Sequence, residues 1–332
     1  MQKLIKELRN YTKPNKFHSL FEIMVTFLPF VLFWFMAHIF FSISNTISFI
    51  FCLLAGVFLT RLFLIQHDCG HGSFFNSRLA NDIVGKILGV FTLTPYHAWR
   101  YSHSVHHATS GNLDKRGIGD VRTLTVNEYS NLSMLYRALY RIYRNPIVMF
   151  GIGPAYLFLL RNRLPTGFSN GDRKFWLSTI GTNITIIMAV VLMIYFIGLR
   201  EFILIHTPII LFAALIGVWL FYIQHQFEDS FWVKSDLWNF YDGALLGSSY
   251  YDLPGPLRWI TANIGIHHVH HLNSKIPFYY LNDVLKDYPH LKNVRRITIS
   301  SSLLSIKCSL WDEKQKKMVS FSEVKKPSLS NI

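Results

Sequence analysis

Positions 23–60 run for 38 residues without Asp, Glu, Lys or Arg, bounded by Glu22 and Arg61. A membrane-spanning helix needs about 20 apolar residues, so the stretch accommodates two. The polar tetrad at 42–45 is the natural turn and predicts helices over about 20–41 and 46–66. The pattern recurs later: 175–199 and 202–227 are free of charge and separated by Arg200 and Glu201, predicting spans at 175–198 and 202–224. The apolar stretches 83–98 and 145–160 are broken by Gly and Pro and are too short to span; the second reads as an interfacial or re-entrant helix. The fold class expected is an all-α membrane protein: four transmembrane helices as two hairpins, in one domain over 1–332, with a helical cap.

Composition agrees. Of 332 residues, 51% are hydrophobic and 16% charged, and mean hydropathy is +0.26; a soluble domain carries about 25% charge, and a disordered chain far less apolar surface. Lys plus Arg is 33 against 19 Asp plus Glu, a net charge of +14. With both hairpin tips on one side, that side holds Arg200 alone, Arg61 lies near the other end of its helix, and the rest of the basic residues fall at the termini or in the central segment. Positive charge marks the cytoplasmic side, so 1–19, 67–174 and 225–332 are expected there. The basic N-terminus precedes a stretch too long for a signal peptide and reads as leading into a retained span. The segment from Lys292 onward, with nine basic and three acidic residues, reads as a solvated tail facing the membrane. Cys52, Cys69 and Cys308 form no disulfide framework, which suits a reducing compartment. The scattered basic residues offer no nucleic-acid-binding module.

Histidine is the conspicuous residue, with 15 in the chain. His67 and His71 form HDCGH at the end of the second span; His103, His106 and His107 form HSVHH; His267, His270 and His271 form HHVHH, with His268 inside the box. On a helix, residues i, i+3 and i+4 share a face, so each HxxHH box can aim three imidazoles at one point. Imidazole suits iron, zinc, copper and nickel, and a zinc ion takes four ligands. The number of candidates therefore implies two metals. His225, directly after the fourth span in YIQHQ, is open at this point between a polar cap and a ligand. His268 points about 100° away from its neighbours' face and reads as spare or supporting. His18, His38, His97, His206 and His290 are isolated and read as ordinary histidines.

HDCGHGSFF, WRYSHSVHHATSGNLD, YIQH and NIGIHHVHHLNSKIPFY, in that order and spacing, resemble the integral-membrane fatty acid desaturases, closest to their acyl-lipid delta-12 and omega-3 branch. The resemblance spans about 17–281. It implies two irons held by His67, His71, His103, His106, His107, His225, His267, His270 and His271, with O2 as co-substrate, a cis double bond introduced into a fatty acyl chain, and a delta-12 (omega-6) outcome. The chain departs from the plant delta-12 pattern at Gly72, where that pattern has a histidine, and in the additional His268. No fused b-type cytochrome region is visible, so electrons are expected from a separate acidic carrier, a ferredoxin or a b-type cytochrome.

The chemistry is consistent with the resemblance, because no side chain breaks an unactivated C–H bond by acid–base means. Asp68, Asp114, Asp229, Asp242 and Asn263 flank the boxes and are candidates to orient the imidazoles. The acyl group can ride on lipid, coenzyme A or a carrier protein, and a bacterial inner membrane is the expected location. The rival readings are a related hydroxylase, acetylenase or carotenoid ketolase, a histidine-rich metal transporter, which needs ionisable ligands within its spans, and a bis-histidine haem protein, for which only His38 and His206 lie mid-span.

Overall fold

The computed structural model describes residues 2–164 and 173–324. Among the described residues, four helices are long and apolar enough to cross a membrane: α1 (Lys16–Phe41), α2 (Asn45–His71), α6 (Arg173–Ile197) and α7 (Leu199–His225). Between them lie α3 (Arg78–Phe91), α4 (Tyr96–Thr109) and α5 (Met134–Tyr143), and after α7 come the short α8 (Gly255–Ile260) and α9 (His267–Leu272). Residues that cannot continue a helix set these limits. Asn15 caps α1 by accepting from the Phe17 and His18 amides, Ser44 caps α2, and Gly72, at φ +66°, ends α2 in the left-handed conformation. The expected spans are reproduced to within a few residues, except that α2 runs on to His71. Arg61 is therefore interior to its helix and buried, rather than close to its end.

The four long helices pack to different extents. α2 is central, packing on α1, α3 and α7, and half of its most apolar stretch is buried. Gly56 permits the contact with α7: a Cβ there would lie 3.0 Å from the Ile209 carbonyl oxygen and 3.2 Å from the Phe212 ring, the small-residue approach that membrane helices use. α6 joins α7 through Gly198 but turns its apolar stretch outward, with none of it buried, and is tied to 161–163 by paired hydrogen bonds between Arg163 and Asn183. The stretch 145–160 forms a π-helical turn at Val148–Ile152 followed by Gly153–Leu159. It is too short to span and packs on α7 through Phe150, Trp219 and Tyr222.

The reading of 292 onward as a solvated tail is corrected over 292–324; its last part, 325–332, lies outside the described residues. β2 (Leu310–Asp312) and β3 (Lys317–Val319) form an antiparallel pair, and β2 also lies parallel to β1 (Leu124–Thr125), in the register Leu124 to Leu310 and Thr125 to Trp311. Trp311 and Met318 are buried beneath this small sheet. Buried Arg144 fastens it to α7, donating to the Cys308 carbonyl and to Gln226. The charges concealed the few apolar residues that dock this segment.

Candidate metal centre

Three helix ends and one short helix bring the histidines together, at the end of the bundle away from the turns at 42–44 and 198. His67 and His71 lie on the last turns of α2, His103, His106 and His107 on α4, and His225 is the last residue of α7. α9 carries His267, His270 and His271. Their ring nitrogens form two groups, each within 4.8 Å: His67, His71, His103, His107 and His270 in one, His106, His225, His267 and His271 in the other.

Neither HxxHH box converges on one point, which corrects the expectation from spacing. At 100° per residue, i+4 lies about 40° to one side of i and i+3 about 60° to the other. His103 and His107 thus serve the first group and His106 the second, while His267 and His271 serve the second and His270 the first. Each box bridges both groups.

The internal distances suit bound ions. Nε2 to Nε2 is 3.3 Å from His67 to His71, 3.1 Å from His71 to His103 and 3.1 Å from His103 to His107. In the second group His225 lies 3.1 Å from His106 and 2.9 Å from His267. Two nitrogens each about 2.1 Å from one ion stand about 3.0 Å apart at a right angle and about 3.4 Å at the tetrahedral angle. The buried Nε2 atoms of His270 and His271 have no hydrogen-bond partner, an arrangement that is costly unless something accepts their lone pairs. Burial first, and neighbouring imidazoles second, push His103, His107, His267, His270 and His271 well below the usual histidine range. They are neutral near pH 7, the form that ligates metals.

Three imidazoles have the Nδ1 side fixed, leaving Nε2 bare toward its group. His67 donates to Asp68 at 3.2 Å, His225 to the Gly247 carbonyl at 3.0 Å, and His106 to Asp120. Of the five flanking candidates, Asp68 alone touches an imidazole. Asp114 accepts from the Ser235 amide, Asp229 pairs with Arg295, Asp242 packs against its cap Asn239, and Asn263 donates to the Phe278 carbonyl. Asp120 was not singled out in the sequence. Its signal is the glycine before it: Gly119 has φ +75°, and a Cβ there would fall 2.7 Å from the Ser102 carbonyl and 3.1 Å from His106 Cβ, so glycine lets the loop bring Asp120 to His106. His268 is fully buried and outside both groups; burial lowers its pKa to about 4. His18, His38, His97, His206 and His290 also lie outside both groups.

Trp99 stacks on His103, with ring centroids 4.6 Å apart, and packs edge-on against Phe63. Phe63 lines an apolar cleft of about 30 Å³ between α2 and α7, with Thr60, Ala213 and Gly217. Two aromatic rings, Phe63 and then Trp99, thus stand between this cleft and the first group.

Comparison with known proteins identifies the family. Residues 44–291 match the fatty acid desaturase family. A fatty acid desaturase of Bacillus subtilis is 44% identical over 324 residues, 98% of this chain and 92% of that protein. An sn-1 acyl-lipid omega-3 desaturase (ferredoxin) of a Synechocystis species is 33% identical, over 70% of this chain and 64% of its own length. An acyl-lipid omega-3 desaturase (cytochrome b5) of the endoplasmic reticulum of Arabidopsis thaliana is 29% identical, over 71% and 62%. With its four apolar helices and paired histidine groups, the chain belongs to the fatty acid desaturase family and is an enzyme of that family.

Proposed function

We propose that the chain is a di-iron, O2-dependent desaturase of membrane-lipid acyl chains, with one iron held by His67, His71, His103, His107 and His270 and the other by His106, His225, His267 and His271. The observation that carries this reading is the division of nine imidazoles into two compact groups. When bound, the iron pair supplies the redox chemistry needed to remove two hydrogens from an unactivated methylene pair. The balance is –CH2–CH2– plus O2, two electrons and two protons, giving –CH=CH– and two waters.

The protein's own part is placement. Asp68, Asp120 and the Gly247 carbonyl hold three imidazoles in one tautomer, and Trp99 and Phe63 form an apolar wall between the histidines and the cleft. Two relatives are named for acyl-lipid substrates and for ferredoxin or cytochrome b5, which supports a lipid-linked acyl chain and a separate one-electron donor. The histidine-bearing end is assigned to the cytoplasm by the positive charge around it, and the membrane to a bacterial inner membrane. A basic face drawing an acidic donor makes turnover with that donor fall as salt rises through about 0.15 M; a flat response would assign the charge to topology alone.

The bond position is proposed as delta-12. The test is the fatty-acid profile, by gas chromatography and mass spectrometry, of a host expressing this chain beside its His106→Ala variant. A new unsaturated acid formed only by the intact chain supports the reading, and its fragmentation distinguishes delta-12 from omega-3 or another position. A hydroxylated product, or a purified protein without iron, would overturn it.

A further inference from the structure

Arg61 is buried within α2, and every part of its guanidinium is engaged. Nε donates to Thr26 Oγ1 at 3.0 Å, Nη2 to the Glu22 carboxylate, and Nη1 to the Trp259 carbonyl. The plane lies over the Trp259 ring, 4.2 Å from its centroid, with Phe278 at 5.4 Å. Glu22 is likewise buried, and its other oxygen faces His18 Nε2 at 3.3 Å. An ion pair inside a spanning segment is expensive to desolvate, and an apolar pair of similar volume would pack as well. Its presence calls for a task that packing cannot perform.

The contacts identify that task. Trp259 on α8 precedes the third histidine box and Phe278 follows it, so the guanidinium meets both ends of the segment that presents His267, His270 and His271. Asn263 Nδ2 donates to the Phe278 carbonyl at 3.1 Å, closing the base of that segment. The Phe278 amide donates to Asp68 Oδ2 at 2.7 Å, and Asp68 in turn receives His67. Arg61 thereby links the first box to the third from beneath, from α2 and α1. We propose that Arg61, held by Glu22, is a positioning residue that sets the third box in register with the first two. The four-histidine group draws two of its members from the third box and the five-histidine group one, so the former depends on Arg61 more. The inference rests on the reading that these groups hold iron.

The experiment is iron per chain, measured by elemental mass spectrometry on full-length protein purified in detergent, with helicity followed by circular dichroism and hydrogen exchange across 259–278. The informative variant is the neutral pair Glu22→Gln with Arg61→Met, which leaves no unpaired charge in the membrane. It is expected to keep wild-type helicity, to fall from two irons towards one, and to exchange faster across 259–278. Arg61→Met alone, which strands the Glu22 carboxylate, is expected to be worse than the pair, and Arg61→Lys to recover part of the loss. A neutral pair that retains both irons, loses both together, or no longer folds would overturn the proposal. Wild-type protein without iron would overturn the di-iron reading itself, and this inference with it.

Discussion

At the scale of single residues, the site depends on which ring nitrogen is left bare. Asp120 is the informative partner because its contact with His106 comes from a loop rather than from the box itself. Asp120→Asn keeps an acceptor of the same shape and removes its charge, so His106 loses basicity without losing its place. Binding at the four-histidine group is expected to weaken 10- to 100-fold on the general scale of such partners, in competition titrations against a chelator of known affinity. Unchanged affinity would reduce Asp120 to a packing residue. A second pair of variants separates position from mere histidine content. His270→Ala removes a member of the five-histidine group, whereas His268→Gln alters a neighbour two residues away that belongs to neither. Iron per folded chain is expected to fall in the first and to hold in the second; equal losses in both would contradict the division described.

At the scale of elements, much was legible because the membrane imposes long uncharged runs and helical spacing places histidines in boxes. The spans, the boxes and the exclusion of the isolated histidines followed from those two regularities. What escaped depends on contacts distant in sequence. The division of HSVHH between two groups requires knowing that His71 at the end of α2 meets His103 while His225 at the end of α7 meets His106. Asp120 reaches His106 through a glycine turn with no periodic signature, and the folded segment after Lys292 is docked by Trp311 and Met318 amid charge. The centrality of α2 was also hidden, since the charge pattern gives four spans equal weight, whereas Gly56 lets α2 approach α7 closely. Gly56→Leu is therefore expected to push these helices apart and to lower stability by about 1–3 kcal/mol, the usual range for overpacking, seen as a lower melting temperature in detergent. Because α7 ends in His225, the same variant should lose iron from the four-histidine group first. A leucine accommodated without a thermal shift would show that α2 and α7 are not pressed together at this point.

At the scale of the whole molecule, the structure gathers nine imidazoles into one region, six of them buried and three half-buried, and that has a thermodynamic consequence for the metal-free protein. His267, His270 and His271 are buried, and burial, followed by neighbouring imidazoles, holds them well below the ordinary histidine range of about 6.5. Above that range both folded and unfolded chains carry them neutral, and they add no pH dependence. Below it the unfolded chain takes up protons that the folded chain refuses, so stability falls as the solution is acidified, by at most about 1.4 kcal/mol per pH unit for each such group. Raising the pH above 7 restores nothing further from these groups. The expected result is a metal-free melting temperature that is level from pH 8 to 7 and drops steeply between pH 6.5 and 5. The metal-loaded protein starts higher and descends in the same direction, as protons compete with the ion for the same nitrogens. Metal-free protein that stays level down to pH 5, or gains stability there, would mean that these imidazoles accept protons in place, and that the region is wetter than their burial indicates.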